Sequence, residues 1–223
     1  MPGRGADPSR WVLAYVVASV VQVLADLLGL QVVAAIAIVP LMPLLAAWLI
    51  SAGQHRSRLG RWVLAALVFS WCGDVIGVMI EVKIAFFLLA QLCYITAFWP
   101  YRGRRVRNRA VLGLYGAAVG VLVIAVGLES GRLLVPVLAY GSALGLMAVL
   151  ATGVHRLAGI GGAIFVLSDA MLGLDTFVES VDLPFSDALV MLTYTAAQLL
   201  LVTGARRRMS ERVPSDAPQP APR

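Results

Sequence analysis

Residues 11–50 read WVLAYVVASVVQVLADLLGLQVVAAIAIVPLMPLLAAWLI, and Asp26 is the one charged side chain among them. About 20 mostly apolar residues in a helix cross the hydrocarbon core of a bilayer, so this stretch holds two crossings. The first run follows Arg4 and Arg10 and continues from Trp11 to Leu30, beyond the roughly 7–15 residues of a secretory signal core. It reads as a retained membrane helix. Leu30 and Gln31 leave almost no connecting loop, so the two helices are expected to form a hairpin that turns at Gly29.

The same pattern runs along the whole chain. Of its 223 residues 60% are hydrophobic and 13% charged, a balance that a soluble fold cannot hide, because most of its residues must still meet water. Spans are expected at 11–30, 32–50, 62–80, 84–101, 110–128, 133–151, 157–177 and 187–205. The fold class is therefore all-α, a polytopic transmembrane helical bundle of eight spans. Sorting the cations orients it. Arg4, Arg10, Arg56, Arg58, Arg61, Arg102, Arg104, Arg105, Arg107, Arg109, Arg156, Arg206, Arg207, Arg208, Arg212 and Arg223 fall on one side, sixteen of the eighteen Lys and Arg. Only Lys83 and Arg132 fall on the other, together with Glu81, Glu129, Glu179, Asp182 and Asp187. Cytoplasmic loops carry the excess of Lys and Arg, so both termini are expected in the cytoplasm. Trp11, Trp48, Trp62 and Trp99 mark cytoplasmic span ends, as an interfacial aromatic belt does.

This organisation gives a cytoplasmic segment 1–10, a membrane domain 11–205 and a basic, Pro-rich tail 206–223 that is expected to be disordered against anionic headgroups. The net charge of +6 thus serves membrane orientation, and no nucleic-acid partner is expected. Cys72 and Cys93 lie inside apolar runs and read as buried thiols. A single Lys against seventeen Arg points to a GC-rich bacterial genome and hence to a cell membrane.

Ionisable groups inside spans are costly, about 2.5–3.5 kcal/mol each on insertion scales, and mark cavities or pathways. Asp26, Asp74 and Asp169 are such groups. Ser70, Asp74, Gly77 and Glu81 would share one helical stripe, and so would Gly162, Phe165, Asp169, Gly173 and Thr176. Both helices run outward, which puts the two carboxylates at similar depth beside a shared interior pocket. Span four adds Phe87, Gln91, Tyr94 and Phe98 on one face, and span eight adds Tyr194 and Gln198 one turn apart. Pro40, midway in span two, frees a backbone carbonyl. Small-polar stripes also bind helices to one another, and Asp26 is close enough to a span end to snorkel.

Phe69-Ser-Trp-Cys-Gly-Asp74, Phe86-Phe-Leu-Leu-Ala-Gln-Leu-Cys-Tyr94, Gly162-Ala-Ile-Phe-Val-Leu-Ser-Asp169 and Tyr194-Thr-Ala-Ala-Gln198, in this order, resemble the YhhN/TMEM86 family of lysoplasmalogenases. The resemblance covers spans two to eight. It implies hydrolysis of the vinyl-ether bond of a lysoplasmalogen, a lysophospholipid of the surrounding membrane, to a fatty aldehyde and a glycerophospho-alcohol. It implies no cofactor and no metal. Two positions depart from the family pattern: Val39 stands where Lys precedes Pro-Leu, and Gln91 stands where His is usual.

Vinyl-ether hydrolysis begins with protonation of an alkene carbon and passes through an oxocarbenium ion. It needs one protonated acid and one nearby anion, roles that Asp74 and Asp169 can divide. Ser70, Gln91, Tyr94, Tyr194, Gln198 and Asp26 are the expected pocket residues. A multi-histidine zinc hydrolase is a poor fit, since His55 and His155 are the only histidines and both fall in loops. A proton-coupled carrier or an idle lipid-binding relative are the competing readings, because membrane carboxylates also relay protons.

Overall fold

The apolar runs among the described residues fold as helices in the computed structural model, which describes residues 8–77, 79–103, 113, 116, 117, 120, 124, 129–181 and 183–211. The order is α1 Pro8–Leu27, α2 Gln31–Ala37, α3 Leu41–Ser51, α4 Arg58–Val75, α5 Ile80–Phe98, α6 Leu134–Val154, α7 Arg156–Phe177 and α8 Ser186–Ser210. There is no strand among the described residues. Most of the expected span 110–128 lies outside the described residues, as do residues 1–7 and the tail from 212. Among the described residues six stretches are long and apolar enough to cross a membrane: Ser9–Leu27, Gln31–Ser51, Ile80–Tyr101, Gly131–Val154, Arg156–Phe177 and Ser186–Ser210. The chain is a multi-pass membrane protein. Helix α4 is less apolar because its 18 residues include Arg58, Arg61 and Asp74.

The helices α1, α3, α4, α5, α6, α7 and α8 form a closed ring in which each packs on the next and α8 returns to α1. The first hairpin turns where expected. Gly29 has φ +67°, a left-handed conformation that glycine adopts without a Cβ penalty. Leu30 N–H bonds the Ala25 carbonyl at 2.8 Å and Gly29 N–H the Asp26 carbonyl at 3.2 Å, the two bonds of a Schellman stop.

Two expected spans are interrupted. Span two breaks at residues 38–40, between α2 and α3. Prolines 40 and 43 cause this, since each withholds the N–H that a carbonyl four residues earlier requires. Val39 N–H takes the Ile36 carbonyl at 3.3 Å. The Val39 carbonyl, orphaned by Pro43, receives the Trp71 indole N–H at 2.9 Å. Span three ends at Val75, five residues short of the expected boundary. The stripe Ser70–Asp74–Gly77–Glu81 is therefore corrected: Glu81 belongs to the first turn of α5. A Cβ on Gly77 would lie 2.3 Å from the Gly73 carbonyl oxygen and 3.0 Å from Lys83 Cα, so this tight reversal needs the missing side chain.

The two ends of the bundle differ in charge. At one end Arg206 donates to the Trp48 carbonyl at 2.8 Å and lies 3.9 Å over the Trp48 ring. Arg102 stacks on Trp99, and Arg208 lies over Tyr101. Such cation–π contacts tie these cations to aromatic side chains at one end of the bundle. The opposite end carries the Arg132–Glu81 ion pair at 2.7 Å.

Helices α7 and α8 make the closest pair. A Cβ on Gly204 would sit 2.5 Å from the Ala158 amide nitrogen, and one on Gly161 would sit 2.9 Å from the Ala197 carbonyl oxygen. Small residues let membrane helices approach to backbone contact. Gly204→Ala is expected to force these helices apart and to cost about 1–3 kcal/mol. Thermal unfolding in detergent should show a lower Tm than wild type, and an unchanged Tm would contradict the close packing.

Candidate active site

Four helices each bring one oxygen-bearing side chain to the same place. Asp74 comes from the last turn of α4, Tyr140 from α6, Asp169 from α7 and Tyr194 from α8. Tyr194 OH donates to Asp74 Oδ2 at 2.8 Å, and Tyr140 OH donates to Asp169 Oδ2. All four line one cavity of about 190 Å³, whose remaining walls are mainly apolar, among them Ile38, Ile84, Phe87, Leu144, Leu172 and Met191. The cavity lies toward the end of the bundle where α4 and α7 finish and α5, α6 and α8 begin.

Behind this wall sits a buried polar network. Tyr94 OH donates to Gln198 Oε1 at 2.6 Å, while Gln198 Nε2 reaches Ser70 Oγ at 3.1 Å and Tyr194 OH at 3.4 Å. Ser70, Tyr94 and Gln198 are all fully buried. The bonding fixes the sense of each hydroxyl. Gln198 Oε1 accepts from Tyr94, so its amino group faces Tyr194, and Tyr194 is left to give its proton to Asp74. Phe87 and Phe165 hold the Tyr194 ring edge-on, with centroids at 5.8 and 5.6 Å. Ser168 Oγ bonds the Val190 carbonyl at 3.0 Å and Tyr15 OH the Thr195 carbonyl at 2.8 Å. The second of these ties α1 to α8 beside the site.

Among the expected site residues, only Asp74, Asp169 and Tyr194 reach the cavity wall. Ser70, Tyr94 and Gln198 stand one layer behind it. Gln91 is also fully buried, near Tyr140, yet both atoms of its amide lack a hydrogen-bond partner among the described residues. Asp26 is corrected outright: it does not line the cavity but sits half-buried near the end of α1, accepting from Gln22 Nε2 at 3.0 Å. Tyr140 was not expected. A lone tyrosine in an apolar span looks like core, and only its neighbours Gly141 and Ser142 hinted at a polar face. Lys83 and Asp187, expected in outer loops, also line the cavity. Cys72 and Cys93 are both free thiols. His155 caps α7, its Nδ1 accepting from Leu157 N–H at 3.0 Å.

Two carboxyl groups in a mostly apolar cavity, each aimed by a phenol, are equipped for proton transfer and for stabilising a nearby cation. The sequence model of the YhhN family matches residues 30–205. A protein named lysoplasmalogenase from Mycobacterium bovis is 32% identical over 178 residues, 72% of this chain and 66% of the relative. The lysoplasmalogenase TMEM86B of Rattus norvegicus is 43% identical over 76 residues, and that of Homo sapiens is 44% identical over 77. The chain spans about a third of the length of each mammalian relative in these matches, 32% in both. No solved structure matches the chain.

Gln198 is the hub of the buried network, so Gln198→Leu strands the Tyr94 hydroxyl and Ser70 together. A buried group left without its partner costs about 1–3 kcal/mol. Tyr94→Phe keeps the ring packing and leaves only the Gln198 oxygen without its donor. The Tm in detergent should fall further for Gln198→Leu than for Tyr94→Phe. The reverse order would mean that Gln198 does not organise the network.

Proposed function

The chain belongs to the YhhN family, and from that membership we propose that it is a lysoplasmalogenase working by carboxyl acid–base catalysis within the membrane. The observation that carries the reading is the pair Asp74 and Asp169 on one apolar cavity, each receiving a tyrosine hydroxyl. The names of the relatives supply the substrate class, a lysoplasmalogen.

In this mechanism one carboxyl group delivers a proton to the alkene carbon beta to the ether oxygen. The π electrons form the new C–H bond, and the ether oxygen shares the resulting positive charge as an oxocarbenium ion. The other carboxylate stabilises that cation, an interaction strengthened where water is scarce. Water then adds to the carbon next to oxygen and surrenders a proton to the carboxylate that began as the acid. The hemiacetal collapses by C–O cleavage, with a proton moving to the departing glycerol oxygen. The products are a fatty aldehyde and a glycerophospho-alcohol, and both carboxyl groups return to their starting state. Tyr140 and Tyr194 serve as positioning residues that aim the carboxyl oxygens.

Replacing either carboxyl by an amide removes the acid or the stabilising anion. Asp74→Asn and Asp169→Asn should each lower aldehyde release by about 10²–10⁴-fold. The assay uses detergent-purified protein, a lysoplasmalogen, and the saturated 1-O-alkyl lysolipid as control. Full activity in both variants would sink the mechanism. Binding of lysolipid by well-folded wild type without aldehyde release would favour a non-catalytic lipid-binding role, for which the unpaired Gln91 amide and Val39 leave room.

The same proposal includes an eight-span topology in a cell membrane: cytoplasmic segment 1–10, membrane domain 11–205 and cytoplasmic tail 206–223. It is supported by the gathering of Arg102, Arg206 and Arg208 on aromatic rings at one end of the bundle. A fluorescent-protein fusion at the C-terminus should glow, and an alkaline phosphatase fusion there should be silent. An active phosphatase fusion would reverse the orientation.

A further inference from the structure

The chemistry proposed above leaves one cavity residue unexplained. Lys83, in the first turns of α5, lines the same cavity as Asp74 and is near enough for its charge to be felt there. A free ammonium beside a reaction that develops positive charge on the substrate opposes that reaction, because like charges repel strongly where water is scarce. Among the described residues Lys83 makes no ion pair, and the neighbouring Glu81 is engaged by Arg132 at 2.7 Å. Asp74 accepts instead from Tyr194.

The opposite wall carries the opposite charge. Asp187, in the first turn of α8, lines the cavity and is exposed at its mouth. Asp26 of α1 stands close to Asp187, and among the described residues the neutral amide of Gln22 is the side chain bonded to it. In the helix ring α5 lies between α4 and α6, while α8 and α1 are adjacent on the far side. The mouth is therefore a dipole, with one cation on the α5 side and two carboxylates on the α8–α1 side.

We infer that this mouth is a headgroup subsite, in which Lys83 binds the phosphate and Asp187, backed by Asp26, binds the ammonium of a zwitterionic lysophospholipid. The inference rests on the lysolipid reading above and deepens it. A phosphate on Lys83 removes the adverse charge before the oxocarbenium ion forms, so headgroup binding also favours the chemical step. The glycerol backbone then spans from the charged mouth to the two carboxyl groups. The alkenyl chain follows the apolar wall at Ile38, Ile84 and Leu144. A lipid bearing only a phosphate would meet Asp187 and Asp26 as repelling charges, and a neutral glyceride would use neither wall.

Binding can be measured without turnover, because saturated 1-O-alkyl lipids have no alkene to protonate. Three such probes are titrated against the full-length protein in nanodiscs: the lysophosphoethanolamine, the lysophosphatidate and the alkylglycerol. Lys83→Gln should weaken both phosphate lipids about tenfold, the scale of one charge-assisted hydrogen bond, and leave the alkylglycerol within about twofold. Asp187→Asn should weaken the zwitterion alone and tighten the lysophosphatidate, and Asp26→Asn should act in the same direction more weakly. Equal losses for all three probes, or phosphate lipids unaffected by Lys83→Gln, would overturn the subsite. So would wild-type protein that binds the alkylglycerol as tightly as the zwitterion, or that binds none of the three. Absent aldehyde release with the predicted binding pattern would instead count against the hydrolase reading and leave the subsite standing.

Discussion

A carboxyl group held away from water must find donors, and the bonds from Tyr194 to Asp74 and from Tyr140 to Asp169 meet that demand. Each bond joins two helices: α4 to α8, far apart in sequence, and α6 to α7, which follow one another. The ring must close with these four helices at one depth for the bonds to form at all. The apolar packing of α7 on α8 through Gly161 and Gly204 serves the same end, since it brings the Asp169 and Tyr194 helices to backbone contact. Stability and site geometry are thus set by the same contacts, as expected where hydrogen bonds inside a membrane have few solvent competitors.

The network behind the wall adds direction. A phenol can donate or accept, and an amide can turn either way, so no single bond determines which proton goes where. The chain Tyr94–Gln198–Tyr194–Asp74 removes the ambiguity link by link. Buried networks of this kind specify one arrangement because each alternative strands a polar group. Gln91 stands outside the network, and among the described residues its amide bonds none of the network's members.

Much of this was legible in the sequence, and the reasons are physical. Asp74 and Asp169 stood out because charge is rare in membrane spans. The hairpin at Gly29 could be anticipated from the lack of any other turn. Tyr140 could not, since a tyrosine in an apolar run is as compatible with packing as with donation. Lys83 looked like a loop charge because the end of α4 is expected five residues too late, which pushes the turn outward, while Asp187 stands at the first residue of its expected span and looked like one more outer acidic charge. Asp26 is held by Gln22 on its own helix, and so it stands beside the cavity rather than on its wall. Residues whose partners lie on other helices are hard to place from spacing alone.

The bond from the Trp71 indole to the Val39 carbonyl has a consequence for how this chain can change over generations. That carbonyl is open only because Pro43, four residues on, has no N–H, and Leu44 N–H already serves Pro40. Any residue other than proline at 43 would supply a backbone donor and release Trp71 from its task. Loss of the indole while Pro43 remains would leave a main-chain oxygen bare at a helix break. The two positions are therefore bound to drift together, an epistatic pair on different helices that no inspection of either helix alone would reveal.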